Sequence, residues 1–125
     1  MSLDVFLQGF ADGEPSDRGA AEIRELLAPY VVTSEGAFLR IQVGDGEADL
    51  YLDEGGLMAN HINGEAPWNL LVRISQVADW TILPVGCPTC LTRPEQRKDL
   101  PQELQTDAVL IGSGDDLRSL VVRRG

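Results

Sequence analysis

This chain of 125 residues is poor in the side chains that most often carry chemistry: one histidine, two cysteines, and 10 basic residues against 20 acidic ones. Two cysteines are too few for a disulfide framework, and their scarcity fits a reducing compartment. No run approaches the roughly 20 apolar residues of a membrane-spanning helix, so no membrane partner is expected. The opening Met1-Ser2-Leu3-Asp4 has no basic stretch ahead of an apolar one, so no export signal is read and a cytoplasmic location is expected. The shortage of bases leaves a formal charge of −10, which argues against a protein that grips nucleic acid through its phosphates.

What is present is an ordinary globular composition, 43% hydrophobic and 24% charged. The length fits one domain, residues 1–125, with a core large enough to need no metal or disulfide. The negative charge is unevenly spread. Residues 25–72 hold eight acids (Glu25, Glu35, Asp45, Glu47, Asp49, Asp53, Glu54 and Glu65) and one base, Arg40, and so supply −7 of the total. Asymmetry of this kind points to a partner of opposite charge.

Periodicity orders the chain. Residues 2–10 alternate as a strand with both faces partly covered, and Ala11 to Ser16 is turn chemistry. A helix over 17–28, capped by Ser16 or Asp17 and stopped by Pro29, has Ile23, Leu26, Leu27 and Tyr30 at helical spacing. Tyr30-Val31-Val32 reads as a short strand and Ser34-Glu35-Gly36 as a turn. Leu39, Ile41 and Val43 share a face, Gly44-Asp45-Gly46 breaks the run, and Ala48, Leu50 and Leu52 share the next. With Leu57 to Ile62 these runs predict a three-stranded meander over 37–63. Pro67 and the stripe Leu70, Leu71, Ile74, Val77 and Ala78 predict a helix over 67–78, flanked by Trp68 and Trp80 as core anchors. A strand follows at 80–85, with Pro84 marking its end or an edge. Residues 86–106 are proline-broken with one helical turn near 102–105, and a short strand at 108–111 precedes a last helix. That helix places Asp115 and Asp116 in its first turn and Arg123 and Arg124 at its end, as its dipole favours. The order predicts an α+β fold: a mostly antiparallel sheet with a central meander, covered by two to three helices.

Complete catalytic sets are missing. Cys87-Pro88-Thr89-Cys90 follows a strand as a redox C-x-x-C does, but Pro94 interrupts the helix that would lower the first thiol's pKa. Zinc would have Cys87, Cys90 and His61 as ligands, one short of a closed site. Zinc deaminases carry H-x-E, and here Asn63 stands where the glutamate belongs. Asp45-Gly46-Glu47-Ala48-Asp49 opens like a calcium loop, yet Leu50 and Gly56 occupy the positions that need glycine and glutamate. Gly112-Ser113-Gly114 lacks the spacing of a nucleophile elbow, and Asp115 and Asp116 oppose an anion at that helix start. Strand periodicity instead sets Asp45, Glu47 and Asp49 on one face, a crowd of like charge that suits a basic partner.

The opening Asp4-Val5-Phe6-Leu7-Gln8 with Phe10 and Gly13-Glu14-Pro15 resembles a group of small bacterial proteins of unassigned activity that begin D-V-F/Y-L-Q-x-F-x-x-G-E. The later hairpin with Leu50-Tyr51-Leu52-Asp53 shares the likeness more loosely. The resemblance implies a bacterial source and a compact α+β fold, and by size and charge the chain is similar in style to immunity proteins of toxin systems.

Together these features predict a non-enzymatic binding protein with no cofactor. Its acidic meander, through Asp45, Glu47, Asp49, Asp53 and Glu54, would meet a basic partner protein. The alternative is a metal- or thiol-dependent enzyme, or a zinc site, on Cys87, Cys90 and His61. A third expectation is a homodimer, formed through an unpaired sheet edge or an exposed Trp80.

Overall fold

A computed structural model describes residues 4–53 and 55–124 (side chains to residue 123), and its centre is the meander that the alternation predicts. Strands β4 (Phe38–Val43), β5 (Gly46–Leu52) and β6 (Gly56–Asn63) pair antiparallel in chain order. A further strand, β3 (Val31–Glu35), pairs with β4, so the meander has four strands rather than three. On its other side β6 pairs with β1 (Val5–Ala11), and β1 with β7 (Trp80–Pro84). Residues 2 and 3 of the expected first strand lie outside the described residues. The sheet ends in two very short strands, β8 (Cys90–Leu91) and β9 (Val109–Leu110), which are parallel to each other. The short β2 (Glu14–Pro15) folds back on β1, and the order β3-β4-β5-β6-β1-β7-β8-β9 makes one mostly antiparallel sheet of α+β class.

Among the described residues four α-helices accompany the sheet: α1 (Ala20–Leu27), α2 (Ala66–Ala78), α3 (Gln102–Gln105) and α4 (Gly114–Arg124). Helix α1 starts later than expected, with Gly19 rather than Ser16 or Asp17 at its cap. Gly19 has φ 96°, and a Cβ there would stand 2.7 Å from Ala78, so the close approach of α1 to the end of α2 demands glycine. The α-helix ends at Leu27, just ahead of Pro29 as expected, and a 3-10 turn at Ala28–Tyr30 leads on into β3. Pro84 sits at the end of an interior strand, not on an edge, since β7 lies between β1 and β8.

The main core lies on the face of the sheet turned to α1, α2 and α4. Rows of paired residues supply it: Leu39, Leu50, Ala59 and Val5 form one, and Leu52, Leu57, Leu7 and Ile82 the next. Ile23 and Leu27 of α1, Leu71 and Ile74 of α2, and Leu117 and Val121 of α4 close over them. Both tryptophans are buried, Trp80 completely, with its Nε1–H donating to the Arg18 carbonyl at 2.7 Å. The exposed Trp80 expected as a dimer contact is therefore corrected: burial and a satisfied N–H leave it nothing to offer a partner. A smaller core of Leu91, Leu100 and Ala108 with Phe10 lies on the opposite face, under residues 92–108.

A buried polar knot fastens that covering segment to α2. Ser75 Oγ donates to the Trp80 carbonyl at 2.5 Å and lies 2.7 Å from Thr92 Oγ1. The Gln96 amide donates to the Ser75 carbonyl at 3.1 Å, and its oxygen accepts the Thr92 N–H at 3.0 Å. A buried group that loses its partner keeps its full desolvation cost. Ser75→Ala is expected to lower unfolding stability by about 1–3 kcal/mol in a denaturant titration. An unchanged midpoint would show that the knot is dispensable.

Candidate functional site

The helices cover one face of the meander, and the other is open. Three rows cross that open face. The middle row is apolar: Phe38 pairs with Tyr51, Tyr51 with Met58, Met58 with Phe6, and Phe6 with Leu83. Five side chains from five neighbouring strands thus stand in one line. Phe6 and Tyr51 are 43% and 42% exposed, and the other three are half-buried. The Phe38 and Tyr51 rings meet at 5.3 Å and a 54° tilt, an ordinary aromatic contact. Glu35 on β3 pairs with Phe38 and ends the row in a carboxylate.

One flanking row is charged. Arg40 pairs with Asp49, Asp49 with Asn60, and the Asn60 amide donates to the Asp4 carboxylate at 3.3 Å. Asp49 is the buried charge of the face. Arg40 Nε donates to its Oδ1 at 2.9 Å, and His61 Nδ1 lies 3.0 Å from its Oδ2. The Arg40 hydrogen bond, chiefly, and that of His61 hold the carboxyl below the usual range, against the desolvation that would raise it. His61 is aimed by a bulge: the pairing of β5 with β6 shifts between Glu47 and Asp49, and His61 takes φ 50°. An extra residue in a ladder re-aims the side chain beside it, and a histidine accepts this backbone more readily than a β-branched residue would. The other flanking row, Gly56, Gln8 and Thr81, is neutral.

The expected acidic patch is broken up. Asp45 lies in the turn before β5, not on the strand face. It is turned to the helix side, where its carboxylate accepts the Ala66 N–H at 2.9 Å and the Glu65 N–H at 3.1 Å. Those N–H groups at the start of α2 hold it below the ordinary carboxylate range. Asp49 is neutralised by Arg40, and Asp53 accepts the Gly56 N–H at 2.8 Å in its own turn. Glu47 stays on the open face beside Asp49, and Glu54 lies outside the described residues. Asp45 and Asp49 are thus engaged in holding the fold on opposite sides of the sheet, whereas Asp53 holds only its own turn and stays exposed. Register is the reason, because it seats Arg40 opposite Asp49 and turns the Asp45 loop toward α2.

The alternative set is not brought together. Cys90 is fully buried, and burial, helped by the nearby Cys87, pushes its thiol up to about 12, so at neutral pH it is no nucleophile. Cys87 is half-buried in the turn after β7, whereas His61 lies on β6 with β1 between them. Among the described residues no three His, Cys, Asp or Glu side chains group to hold a metal ion. The helix start at Gly112-Ser113-Gly114 is filled by the chain itself: Ser113 Oγ accepts the Asp116 N–H, and the Asp116 carboxylate accepts the Gly112 N–H at 3.0 Å. A cleft of about 400 Å³ between α1, the end of α2 and residues 93–99 is lined by three cations and four carboxylates. Its Arg93 is already taken by Asp79 at 3.3 Å and Glu95 at 3.7 Å.

The apolar row went unread in the sequence, although a signal was there. Phe6, Tyr51 and Met58 stand at the outward positions of alternating strands, where polar residues belong. Comparison with known proteins adds no assignment: no family model, curated protein or solved structure matches the chain.

Replacing Arg40 by methionine tests the electrostatics. The folded Asp49 carboxyl is held low, so the Arg40 pair adds stability above the unfolded carboxyl pKa of about 3.9. That contribution is lost as pH falls through the lower folded value. Arg40→Met should therefore be less stable than the parent at pH 6, with the gap closing below about pH 4. A gap that persists in acid would mean that the arginine acts through its stem.

Proposed function

We propose that this chain is a non-enzymatic binding protein that receives a basic partner protein on the open face of its sheet, in the manner of an inhibitor or immunity protein. The observation that carries this reading is the line of five apolar side chains held in register across the uncovered strands. Scattered surface apolar residues need no explanation, whereas a contiguous row rimmed by polar ones marks an interaction site. Covering what remains exposed of Phe6 and Tyr51 is worth about 2 kcal/mol apiece at 25 cal/mol per Å².

Charge supports the sign of the partner. Asp4, Glu35, Glu47 and Asp53 surround the row, and none of them is in an ion pair among the described residues. Arg40, which stands beside the row, is paired with Asp49. Rim charges of this kind steer encounter and raise the association rate. The acidic side chains proposed to meet the partner are accordingly Glu35, Glu47 and Asp53 around the row, with Asp45 and Asp49 kept for the fold.

A photo-crosslinking amino acid at position 51, used in a lysate of the source organism, tests the reading, with position 122 on α4 as control. A basic protein captured at 51 and not at 122 is expected. With the purified pair, raising salt should slow association by about tenfold or more, and Glu35→Gln with Glu47→Gln and Asp53→Asn should flatten that dependence. Capture of nothing, or of an acidic protein with salt-insensitive binding, would remove the proposal.

A further inference from the structure

We infer that the element seated on the apolar row is a basic amphipathic helix of the partner, about 13–14 residues long; the inference rests on the binding reading above. The row crosses five strands, and four spacings of about 4.8 Å give it a length of roughly 19 Å. Polar rows on both sides confine it to the width of one side chain. A helix presents a strip of those proportions: residues at i, i+4, i+7 and i+11 span about 17 Å at 1.5 Å per residue.

An extended segment fits the same strip less well. Laid flat on Phe6, Tyr51 and Met58 it would desolvate its own N–H and C=O groups against side chains that cannot answer them. A helix satisfies those groups internally. Leu83, at the far end of the row, lies on β7, which pairs with β8 and so stands next to the strand whose Leu91 belongs to the smaller core. An added helix would extend that covering layer across the rest of the face.

Charge fixes the sign of the helix flanks. Asp4 and Glu35 border the row, Glu47 lies beyond Asp49 on β5, and Arg40 is turned into Asp49. Lysines beside the apolar stripe therefore meet acids that are in no ion pair among the described residues. A second copy of this chain would bring the same acids against themselves, on a molecule already at −10. That occupant is disfavoured.

The test uses the full chain with ¹³C-labelled methionine methyls, in which the Met58 signal is assigned by its loss in Met58→Leu. The probes are a 14-residue leucine–lysine peptide of helical period, the same sequence with alternating D and L residues, and a leucine–glutamate counterpart. The helical lysine peptide is expected to shift the Met58 methyl saturably. Phe6→Ser with Tyr51→Ser, checked for fold by circular dichroism, should weaken that binding at least tenfold. Equal shifts by the D/L peptide would overturn the helix while leaving a basic partner on the face intact, and equal shifts by the glutamate peptide would overturn the charge argument. No Met58 shift with any peptide at millimolar concentration also overturns the inference, and photo-crosslinking then judges the binding reading separately. Concentration-dependent broadening of Met58 without peptide, matched by a dimer in sedimentation, would assign the row to a second copy instead.

Discussion

The register of five strands is the constraint on which the rest of this molecule depends. Leu39, Leu50, Ala59 and Val5 form a row that faces the helices, and Phe38, Tyr51, Met58 and Phe6, one residue along each strand, form the row that faces out. A slip of one residue would exchange them. Both rows are apolar, so hydrophobicity alone discriminates poorly between the two arrangements. The helices discriminate by shape: Ile23, Leu27, Leu71, Ile74 and Leu117 pack against the inner row, whose aliphatic residues they fit.

The charged row strengthens that choice. Asp49 lies between two apolar neighbours on β5, and inverting the sheet would carry it and Arg40 under α2. Burying an ion pair in an aliphatic core costs several kcal/mol per charge even when the pair stays intact. On the open side the pair loses less hydration, and Arg40 keeps about half of its side chain in solvent. The single base of residues 25–72 therefore serves the pairing of β4 with β5 before it serves any partner. The bulge at His61 follows from the same pairing, because it shifts the end of β6 by one residue and lets the chain turn toward α2. There Asp45 receives the first N–H groups of the helix.

What could be read from the sequence was whatever rests on local chemistry. The meander over 37–63 and the helix beginning near Pro67 follow from alternation, glycine turns and a 3.6-residue stripe, and both stand within a residue or two. The helical turn at Gln102–Gln105 and the helix carrying Asp115 and Asp116 follow from the same signals. Strands of two residues such as Cys90–Leu91 cannot show a period, and they exist because β7 and the segment at 109–110 offer them partners. Gly19 could not be recognised as a helix cap, since its role comes from Ala78, far away in sequence. The site failed for a related reason. A run of acids looks like a patch when each strand is read alone, and only cross-strand pairing shows that Arg40 meets Asp49.

The two functional signals, charge and the apolar row, make sense together. A flat apolar strip on the open face of a sheet invites self-association, because a second copy offers an identical surface of the right size. A charge of −10 on 125 residues opposes that encounter and leaves the strip available. The same charge favours approach by a basic protein. The acids around the strip need not touch the partner's apolar contact to matter, since steering acts over a Debye length of about 8 Å at physiological salt. Binding strength would then come from Phe6, Tyr51 and Met58, and selection of the partner from Glu35, Glu47 and Asp53. Such a division separates affinity, carried by buried rings, from rate, carried by exposed carboxylates.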